Sequence, residues 1–299
     1  MSHRTARRRL TVRGLVLVLG ITAVAVAPAG PASAAVPGLV RIAAVSASNS
    51  NDFRSVTATC PAGKVLTGTG YEINGATGEV VVDDLRPNGS TVTAPTAVTV
   101  GAYEADPFAG NWTVTAYAVC ANPLPGLIRV TAVSDTDLND FHAATAACPF
   151  GKVLTGTGFE MTGITGEGVV DDLRPNGSPV SAPNAVTVGA YEVDTFLGSW
   201  NVRAYGICAN PIPGLVRITT VSARDSSDSR FSTTVCLNGQ VMTGGGFEVN
   251  GALGEVVVDD FRPNGSAATA PVALTAGAYE EDPFAGNWNL RSYAICATR

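Results

Sequence analysis

The sequence predicts an all-β protein made of three tandem, small β-sandwich-like domains, each with one internal disulfide. A stretch that opens and closes on cysteine occurs three times, with a separation of 60 positions between its cysteines and of 88 between successive copies. Valine, threonine, tyrosine and alternating runs dominate each copy, which favours strands over helices. Turn residues such as Asn88-Gly89 punctuate these runs, because Asn-Gly readily adopts positive φ.

Six strands are predicted in each copy, enough for a small sandwich. In the first copy we expect them at 39–46, 53–60, 64–73, 79–86, 97–104 and 111–120. Side chains alternate along a strand, so Trp112 and Cys120 share one face of the last strand and are expected to point inward together. Gly68 and Gly70 share a face of the third strand, where glycines mark a bulge or a close approach by another group, such as a tryptophan ring.

The copies define the domain boundaries. After a signal peptide at 1–34, we expect repeats at 37–124, 125–212 and 213–299. A period of 88 residues is longer than that of most solenoids, which favours small domains. Paired prolines in the junctions 121–124 and 209–212 predict stiff, extended connections and three separately cored domains in a row. A closed three-fold assembly in which the copies share a core is the alternative.

The cysteines predict a disulfide framework, because all six lie in the exported part and their number is even. Pairing within each copy fits the repeat, whereas pairing across the short junctions would leave two cysteines stranded. The predicted bridges are Cys60–Cys120, Cys148–Cys208 and Cys236–Cys296.

The first residues predict export. A basic segment with five arginines precedes an uncharged, mainly apolar run at 14–27, and Ala32-Ser33-Ala34 supplies a cleavage pattern. The run is too short for a membrane span. Without this segment the chain has 14 basic and 25 acidic residues, a formal net charge of −11. We therefore expect a secreted, extracellular, monomeric protein that neither inserts into membranes nor binds nucleic acid.

The opening Cys-Pro-x-Gly-Lys-Val-Leu-Thr-Gly-x-Gly and the closing Trp-x-Val-x-Ala-Tyr-x-x-Cys resemble a module of tandem β-repeat proteins exported by actinobacteria. The resemblance spans nearly the whole mature chain. The third copy departs from it, with Leu237-Asn238-Gly239-Gln240 after its first cysteine. The resemblance implies export, strands and bridges, and it implies no catalytic chemistry.

Several kinds of catalytic site are hard to build from this chain. Outside the signal peptide the only histidine is His142, which we expect to face solvent, so no histidine-based triad can recur in all three copies. With every cysteine bridged, thiolate catalysis and zinc sites fail too. Recurrent carboxylates leave one enzymatic alternative, a secreted glycoside hydrolase.

Calcium is a second possibility for the carboxylates, since Glu79 precedes Asp83-Asp84 on a turn-flanked strand. Adjacent strand residues point to opposite faces, so Asp83 and Asp84 could share an ion only if a bulge intervened. We expect instead that one aspartate pairs with Arg86 or caps the turn while the other is solvated. No metal or other cofactor is therefore predicted.

A loop that joins aromatic and acidic residues is the predicted binding site. An aromatic face beside carboxylates can stack on a sugar and hydrogen-bond to it, and three copies would add avidity. The candidate ligand-binding residues are Tyr103, Glu104, Asp106, Phe108, Tyr191, Glu192, Asp194, Phe196, Tyr279, Glu280, Asp282 and Phe284.

The sequence thus predicts a secreted, non-catalytic binding or structural protein whose target is a glycan, a cell-envelope polymer or another protein. The alternatives are the carboxylate-dependent hydrolase and a secreted inhibitor or toxin whose loops engage a foreign enzyme.

Overall fold

Each repeat contributes six antiparallel strands to the fold. The computed structural model describes residues 36–193 and 195–299, and within them it has eighteen strands and no helix. The predicted signal peptide at 1–34, Ala35 and the candidate site residue Asp194 lie outside the described residues. The prediction of an all-β chain is confirmed.

The strand bounds repeat with the sequence. Repeat 1 contains β1 (Val40–Val45), β2 (Phe53–Thr59), β3 (Val65–Asn74), β4 (Val80–Pro87), β5 (Ala97–Glu104) and β6 (Thr113–Ala121). Repeat 2 contains β7 (Ile128–Val133), β8 (Phe141–Ala147), β9 (Val153–Thr162), β10 (Gly168–Pro175), β11 (Ala185–Glu192) and β12 (Asn201–Ala209). Repeat 3 contains β13 (Val216–Val221), β14 (Ser229–Val235), β15 (Gln240–Asn250), β16 (Val256–Pro263), β17 (Ala273–Glu280) and β18 (Asn289–Thr298). In repeat 1 these bounds lie within two residues of the predicted ones.

The strands of one repeat divide between two sheets that pack face to face, as in a small sandwich. In repeat 1, β1, β6 and β3 form half of one sheet, and β2, β5 and β4 form half of another. A neighbouring repeat supplies the other half of each sheet. The three six-stranded sheets have the orders β1-β6-β3-β16-β17-β14, β2-β5-β4-β9-β12-β7 and β13-β18-β15-β10-β11-β8.

These shared sheets close the repeats into a ring. Strand β4 of repeat 1 pairs with β9 of repeat 2, β10 with β15 of repeat 3, and β16 with β3 of repeat 1. Each of these contacts consists of two residue pairs, such as Asp84 opposite Glu160 and Leu85 opposite Phe159.

One hydrophobic cluster runs through all three repeats. At its centre the ring of Tyr71 lies 6.4 Å from that of Phe159 and 6.5 Å from that of Phe247, with edge-to-face geometry at both contacts. These three residues occupy equivalent positions in their repeats. The expectation of separate cores is therefore wrong, and the closed three-fold arrangement describes the molecule.

Each repeat keeps its own covalent staple. The bridges Cys60–Cys120, Cys148–Cys208 and Cys236–Cys296 join the predicted partners. Trp112, Trp200 and Trp288 are fully buried, as is the second cysteine of each bridge. The prediction that tryptophan and cysteine point inward together is confirmed.

The central glycines have a different partner from the expected tryptophan. A Cβ atom on Gly68 would lie 2.6 Å from the Cα of Gly244 of repeat 3 and would overlap the carbonyl of Thr243. Gly156 approaches Gly68 of repeat 1 in the same way. The backbones of the repeats therefore meet directly at the centre of the ring, where only glycine leaves room. Each of these strands also has the expected bulge, between Leu66 and Gly68 in repeat 1.

The connections between repeats are anchored turns and not the extended linkers expected. Leu124 and Leu127 are buried, and the amide of Leu127 donates a hydrogen bond of 3.3 Å to the carbonyl of Leu124. Between them Gly126 has φ of 67°. Proline here starts a tight turn, and burial of the flanking leucines fixes it to the core.

Candidate binding grooves

The predicted loop between Tyr103 and Trp112 is held together by Glu104. One carboxylate oxygen of Glu104 accepts from the backbone amide of Phe108 at 3.0 Å, and the other accepts from the indole nitrogen of Trp112 at 2.9 Å. Glu192 and Glu280 make the same two contacts in their repeats, at 3.0–3.1 and 2.9–3.0 Å. In every repeat this glutamate ties the loop to the buried tryptophan.

Phe108 supports the same loop from below. Its ring is half-buried against the hydrophobic core, and it lies so close to Gly110 that a Cβ atom there would overlap it. Phe196 and Phe284 take equivalent places. Of the four candidate positions in repeat 1, Tyr103 and Asp106 thus remain free to meet a ligand.

Tyr103 pairs with an exposed aromatic ring that the sequence analysis did not single out. Its ring centroid lies 4.5 Å from that of Phe53, which is 43% exposed. Partial burial is the main cause that raises the pKa of Tyr103, and the charges of Asp83, Asp84 and Asp52 raise it further. The hydroxyl therefore stays a hydrogen-bond donor at any physiological pH.

The other repeats also place a phenylalanine against this tyrosine. Phe141 lies 4.5 Å from Tyr191. In repeat 3 the strand position that matches Phe53 is Ser229, and the ring comes from Phe231, two residues further along the same face. Phe231 still contacts Tyr279, at 5.6 Å and edge-on. The recurrence of a phenylalanine just after an aspartate was the available sequence signal, and repeat 3 obscures it.

Beside each tyrosine runs a groove between the loop of one repeat and a turn of the next. The first groove, of about 460 Å³, is lined by Asp52, by 104–107 and by 165–167 of repeat 2. The second, of about 570 Å³, is lined by Asp140, 191–193 and Thr195 of repeat 2 and by Leu253 and Glu255 of repeat 3. In the third, Asp228 and 280–283 form one wall. Gly78 of repeat 1 faces this third loop, because a Cβ atom on it would lie 3.0 Å from the carbonyl of Glu280.

The grooves bring together residues that are far apart in the sequence. Asp106 and Asp282 are exposed at the loop tips, as expected for ligand-binding positions. Asp52 and Glu167 were missing from the predicted site. Because Glu167 reaches the first groove from the following repeat, its role could be recognised only once the ring was known.

A buried aspartate lies beneath each groove. Asp83, Asp171 and Asp259 are 4%, 1% and 2% exposed. One oxygen of Asp259 accepts from the amide of Gly78 at 2.9 Å, and one of Asp171 from the amide of Gly254 at 3.1 Å. Asp83 accepts from the amide of Gly166 in the same way. Each bond crosses to the repeat that forms the opposite wall of the groove.

The second oxygen of each buried aspartate is itself buried and has no hydrogen-bond partner among the residues that the structure describes. Burial is the main cause that raises the pKa of all three carboxyl groups well above the usual value for aspartate. The prediction that one aspartate of Asp83-Asp84 is solvated is wrong. The bulge between Val82 and Asp84 turns Asp83 inward, so that neither member of Asp83-Asp84 is simply solvated.

Asp84 belongs to a second polar cluster on the shared sheet, on the same face as Tyr103. It lies directly across from Glu160, whose oxygens accept from Arg86 at 2.9 Å, from Arg203 at 3.3 Å and from the hydroxyl of Tyr205. Burial and the bond to Glu160 raise the pKa of Tyr205 to about 12. Asp84 and Glu160 are neighbouring carboxylates, and Glu160 already accepts from three donors. It acts as a clamp between repeats 1 and 2.

His142 is not at the surface as expected. It is 4% exposed and packs edge-on against Trp200 at 4.3 Å. In the other repeats the guanidinium groups of Arg54 and Arg230 occupy the equivalent place over Trp112 and Trp288, at 4.6 and 5.3 Å. All three are cationic or polar groups covering a tryptophan face, which accounts for their burial.

Residues 36–193 and 195–299 contain neither a cluster of metal ligands nor a membrane-spanning helix. No three histidine, cysteine, aspartate or glutamate side chains converge closely enough to hold a metal ion. No helix in this part of the chain is long and apolar enough to cross a membrane.

No family model matches the chain, and no curated protein matches it either. Among solved structures, translation elongation factor SelB from Methanococcus maripaludis in its apo form is 13% identical, with a TM-score of 0.14. The match covers 87% of this chain and spans 63% of the length of that structure. Similarity of this size carries no argument about fold or function.

Proposed function

We propose that this chain is a secreted, non-catalytic binding protein whose three grooves hold a glycan or another polymer of the cell envelope. The observation that carries the proposal is the triple recurrence of one acidic, aromatic-edged groove between successive repeats. A repeating polymer offers the same chemical group many times, so three equivalent sites can engage it together with added avidity.

The composition of the groove supports a sugar ligand. Phe53 and Tyr103 offer two adjoining aromatic rings at the edge of the groove, and the oxygens of Asp52 and Asp106 in its lining can accept from hydroxyl groups. Glu104 is occupied in holding the loop, so the groove wall is fixed before ligand arrives. A preformed wall lowers the entropy cost of binding.

The covalent framework supports export. Three disulfides fit an oxidising, extracellular environment, since cytosolic conditions keep most thiols reduced. We propose that the protein is released from the cell by its signal peptide and acts there as a monomer.

The test is an array of glycans and cell-envelope polymers probed with the mature protein and with a variant carrying Tyr103→Ala, Tyr191→Ala and Tyr279→Ala. We expect the triple variant to lose binding that the parent shows, because the aromatic surface is gone from every groove. Phe150→Ala is the matched control, since Phe150 is a fully exposed ring at the opposite end of strand β9. Retention of full binding by the triple variant, or the absence of any bound polymer, would refute the proposal.

A further inference from the structure

Three carboxylates of the first groove have no cation paired with them within residues 36–193 and 195–299. In the first groove Asp52, Asp106 and Glu167 make no side-chain hydrogen bond or ion pair within the described residues. Arg54, whose charge interacts with that of Glu104, stacks on Trp112 and donates to the carbonyl of that residue at 2.8 Å. The groove therefore presents uncompensated negative charge to whatever enters it.

The buried aspartate beneath the groove adds a second, independent feature. Asp83 bonds through one oxygen to Gly166, which forms part of the groove lining, and its charge interacts with that of Asp52 on the wall. Its other oxygen is buried and has no partner. A buried polar atom without a partner is costly, and each groove has one such oxygen beneath it, which a hydrogen-bond donor in the groove would stabilise.

The spacing of the carboxylates argues against a single metal ion. A calcium site needs several oxygens converging within about 2.3–2.6 Å of one point. Within the described residues no three acidic side chains converge in this way. Charge spread along a groove fits a ligand whose own positive charges are spaced apart, such as amino groups on successive units of a polymer.

The aromatic pair at the edge of the groove restricts the class of ligand further. A polyamine or a lysine-rich peptide would satisfy the carboxylates alone, whereas the paired rings of Phe53 and Tyr103 offer a surface that suits the face of a sugar. An anionic sugar polymer would be repelled by the groove and by the acidic chain as a whole.

From these observations we infer that the three grooves select a glycan bearing free amino groups, a deacetylated amino-sugar polymer. This inference rests on the proposed function and specifies the chemistry of its ligand. Each ammonium group sits among the carboxylates of one groove while the sugar ring lies on the aromatic pair.

The test compares three probes by calorimetry on the mature protein: a glucosamine oligomer, an N-acetylglucosamine oligomer of equal length, and spermine. We expect the glucosamine oligomer to bind at least about tenfold more tightly than either of the others, and to weaken as salt is added. Equal affinity for the two oligomers would overturn the inference and leave glycan binding standing. Spermine binding as tightly as the glucosamine oligomer would also overturn it, because the sugar would then contribute nothing.

Substitutions in the grooves test whether their aspartates account for the affinity. Replacing Asp52, Asp140 and Asp228 with asparagine should lower the affinity for the glucosamine oligomer about tenfold and leave any N-acetylglucosamine binding unchanged. For a single groove, Asp140→Asn is compared with Asp135→Asn, an exposed carboxylate outside the grooves. An unchanged affinity in the triple variant would contradict the inference, whereas failure of every sugar to bind would refute the proposed function itself.

Discussion

The interior of a repeat and the junction between two repeats are built by different means. Within repeat 1 the strands pair over six to nine residue pairs, and a disulfide and a fully buried tryptophan add to the packing. Between repeats each sheet continues through two residue pairs only. The junctions depend on the shared hydrophobic cluster and on buried polar groups, which are costly if they lose their partners.

The centre of the ring shows this dependence. Thr69 donates to the carbonyl of Thr157 at 2.6 Å, and Thr157 donates to that of Gly245 at 2.6 Å. Thr67 and Thr243 also donate to backbone carbonyls of neighbouring repeats. The difference teaches that the repeat supplies bulk stability, while the junctions determine whether three repeats form one molecule and whether the grooves exist.

The largest expected loss of stability comes from removing the disulfide within one repeat. Replacing Cys60 and Cys120 together with alanine removes a bridge that closes a separation of 60 residues. In the chain-entropy account such a loop contributes about 4 kcal/mol to the free energy of unfolding. Equilibrium unfolding in urea measures the loss. A loss below about 1 kcal/mol would mean that the shared core, and not the staple, stabilises the repeat.

The next largest loss of stability is expected from a substitution at the centre of the ring. Gly68→Ala places a methyl group against the backbone of Thr243 and Gly244, which cannot move aside as a side chain could. We expect a loss of about 3 kcal/mol in the free energy of unfolding.

Gly63→Ala is the matched control for that substitution. Gly63 has φ of 80° but no atom within 4 Å of the added methyl group, so only backbone strain of about 1 kcal/mol is expected. Equal losses in the two variants would contradict the close approach of the repeats at the centre.

A third prediction concerns pH, through the three buried aspartates at the junctions. Burial raises the pKa of Asp83, Asp171 and Asp259 well above the value of 3.8 for the free side chain. The folded protein then holds protons that the unfolded chain releases, so stability falls as pH rises from about 4 through the raised pKa values. Above them the loss is complete and stays constant.

The check on this pH dependence is a variant with asparagine at all three positions. Asparagine keeps the acceptor for the glycine amide and cannot ionise. The free energy of unfolding, measured from about pH 5 to about pH 8, should fall less steeply in this variant than in the parent. An identical slope would assign the pH dependence to other groups, such as the partly buried Asp84, Asp172 and Asp260, whose pKa values are also raised by burial.

The smallest effect distinguishes one junction from another. Within the described residues Glu160 and Glu248 each pair with two arginines, whereas Glu72 at the junction of repeats 3 and 1 pairs with Arg262 alone. Thr115 stands where Arg203 and Arg291 stand in the other repeats. We expect Arg203→Thr to cost less than about 1 kcal/mol and Thr115→Arg to add a comparable amount, since these arginines are partly exposed. Thermal unfolding at low and high salt measures both, and an effect of Thr115→Arg that survives high salt would show that the gain is not electrostatic.

Much of this fold follows from local sequence. Alternation placed Trp112 and Cys120 on the same inward face, and the 88-residue period gave the disulfide pairing. The sharing of sheets did not follow, because the contact of Asp84 and Leu85 with Glu160 and Phe159 involves two residue pairs that no local pattern marks. His142 was misjudged because the tryptophan that buries it lies 58 positions away in the sequence.

Only part of the site was predicted, because its other residues take their roles from contacts that are distant in the sequence. Tyr103 and Asp106 stand in one loop and could be recognised together. Glu104 and Phe108 stand in the same loop, but their roles depend on Trp112 and Gly110, which turn them toward the protein. Glu167 comes from another repeat, so its place in the groove depends on how the ring closes.

The direct meeting of Gly68, Gly156 and Gly244 has a consequence for how such a chain can grow. Tandem arrays usually tolerate gain or loss of a unit, because each unit contacts only its neighbours. Here the three backbones already fill the space between them. A fourth repeat in the ring would create a central cavity, and the loss of one repeat would expose the hydrophobic centre to water. Geometry thus sets the number of repeats in one such ring at three.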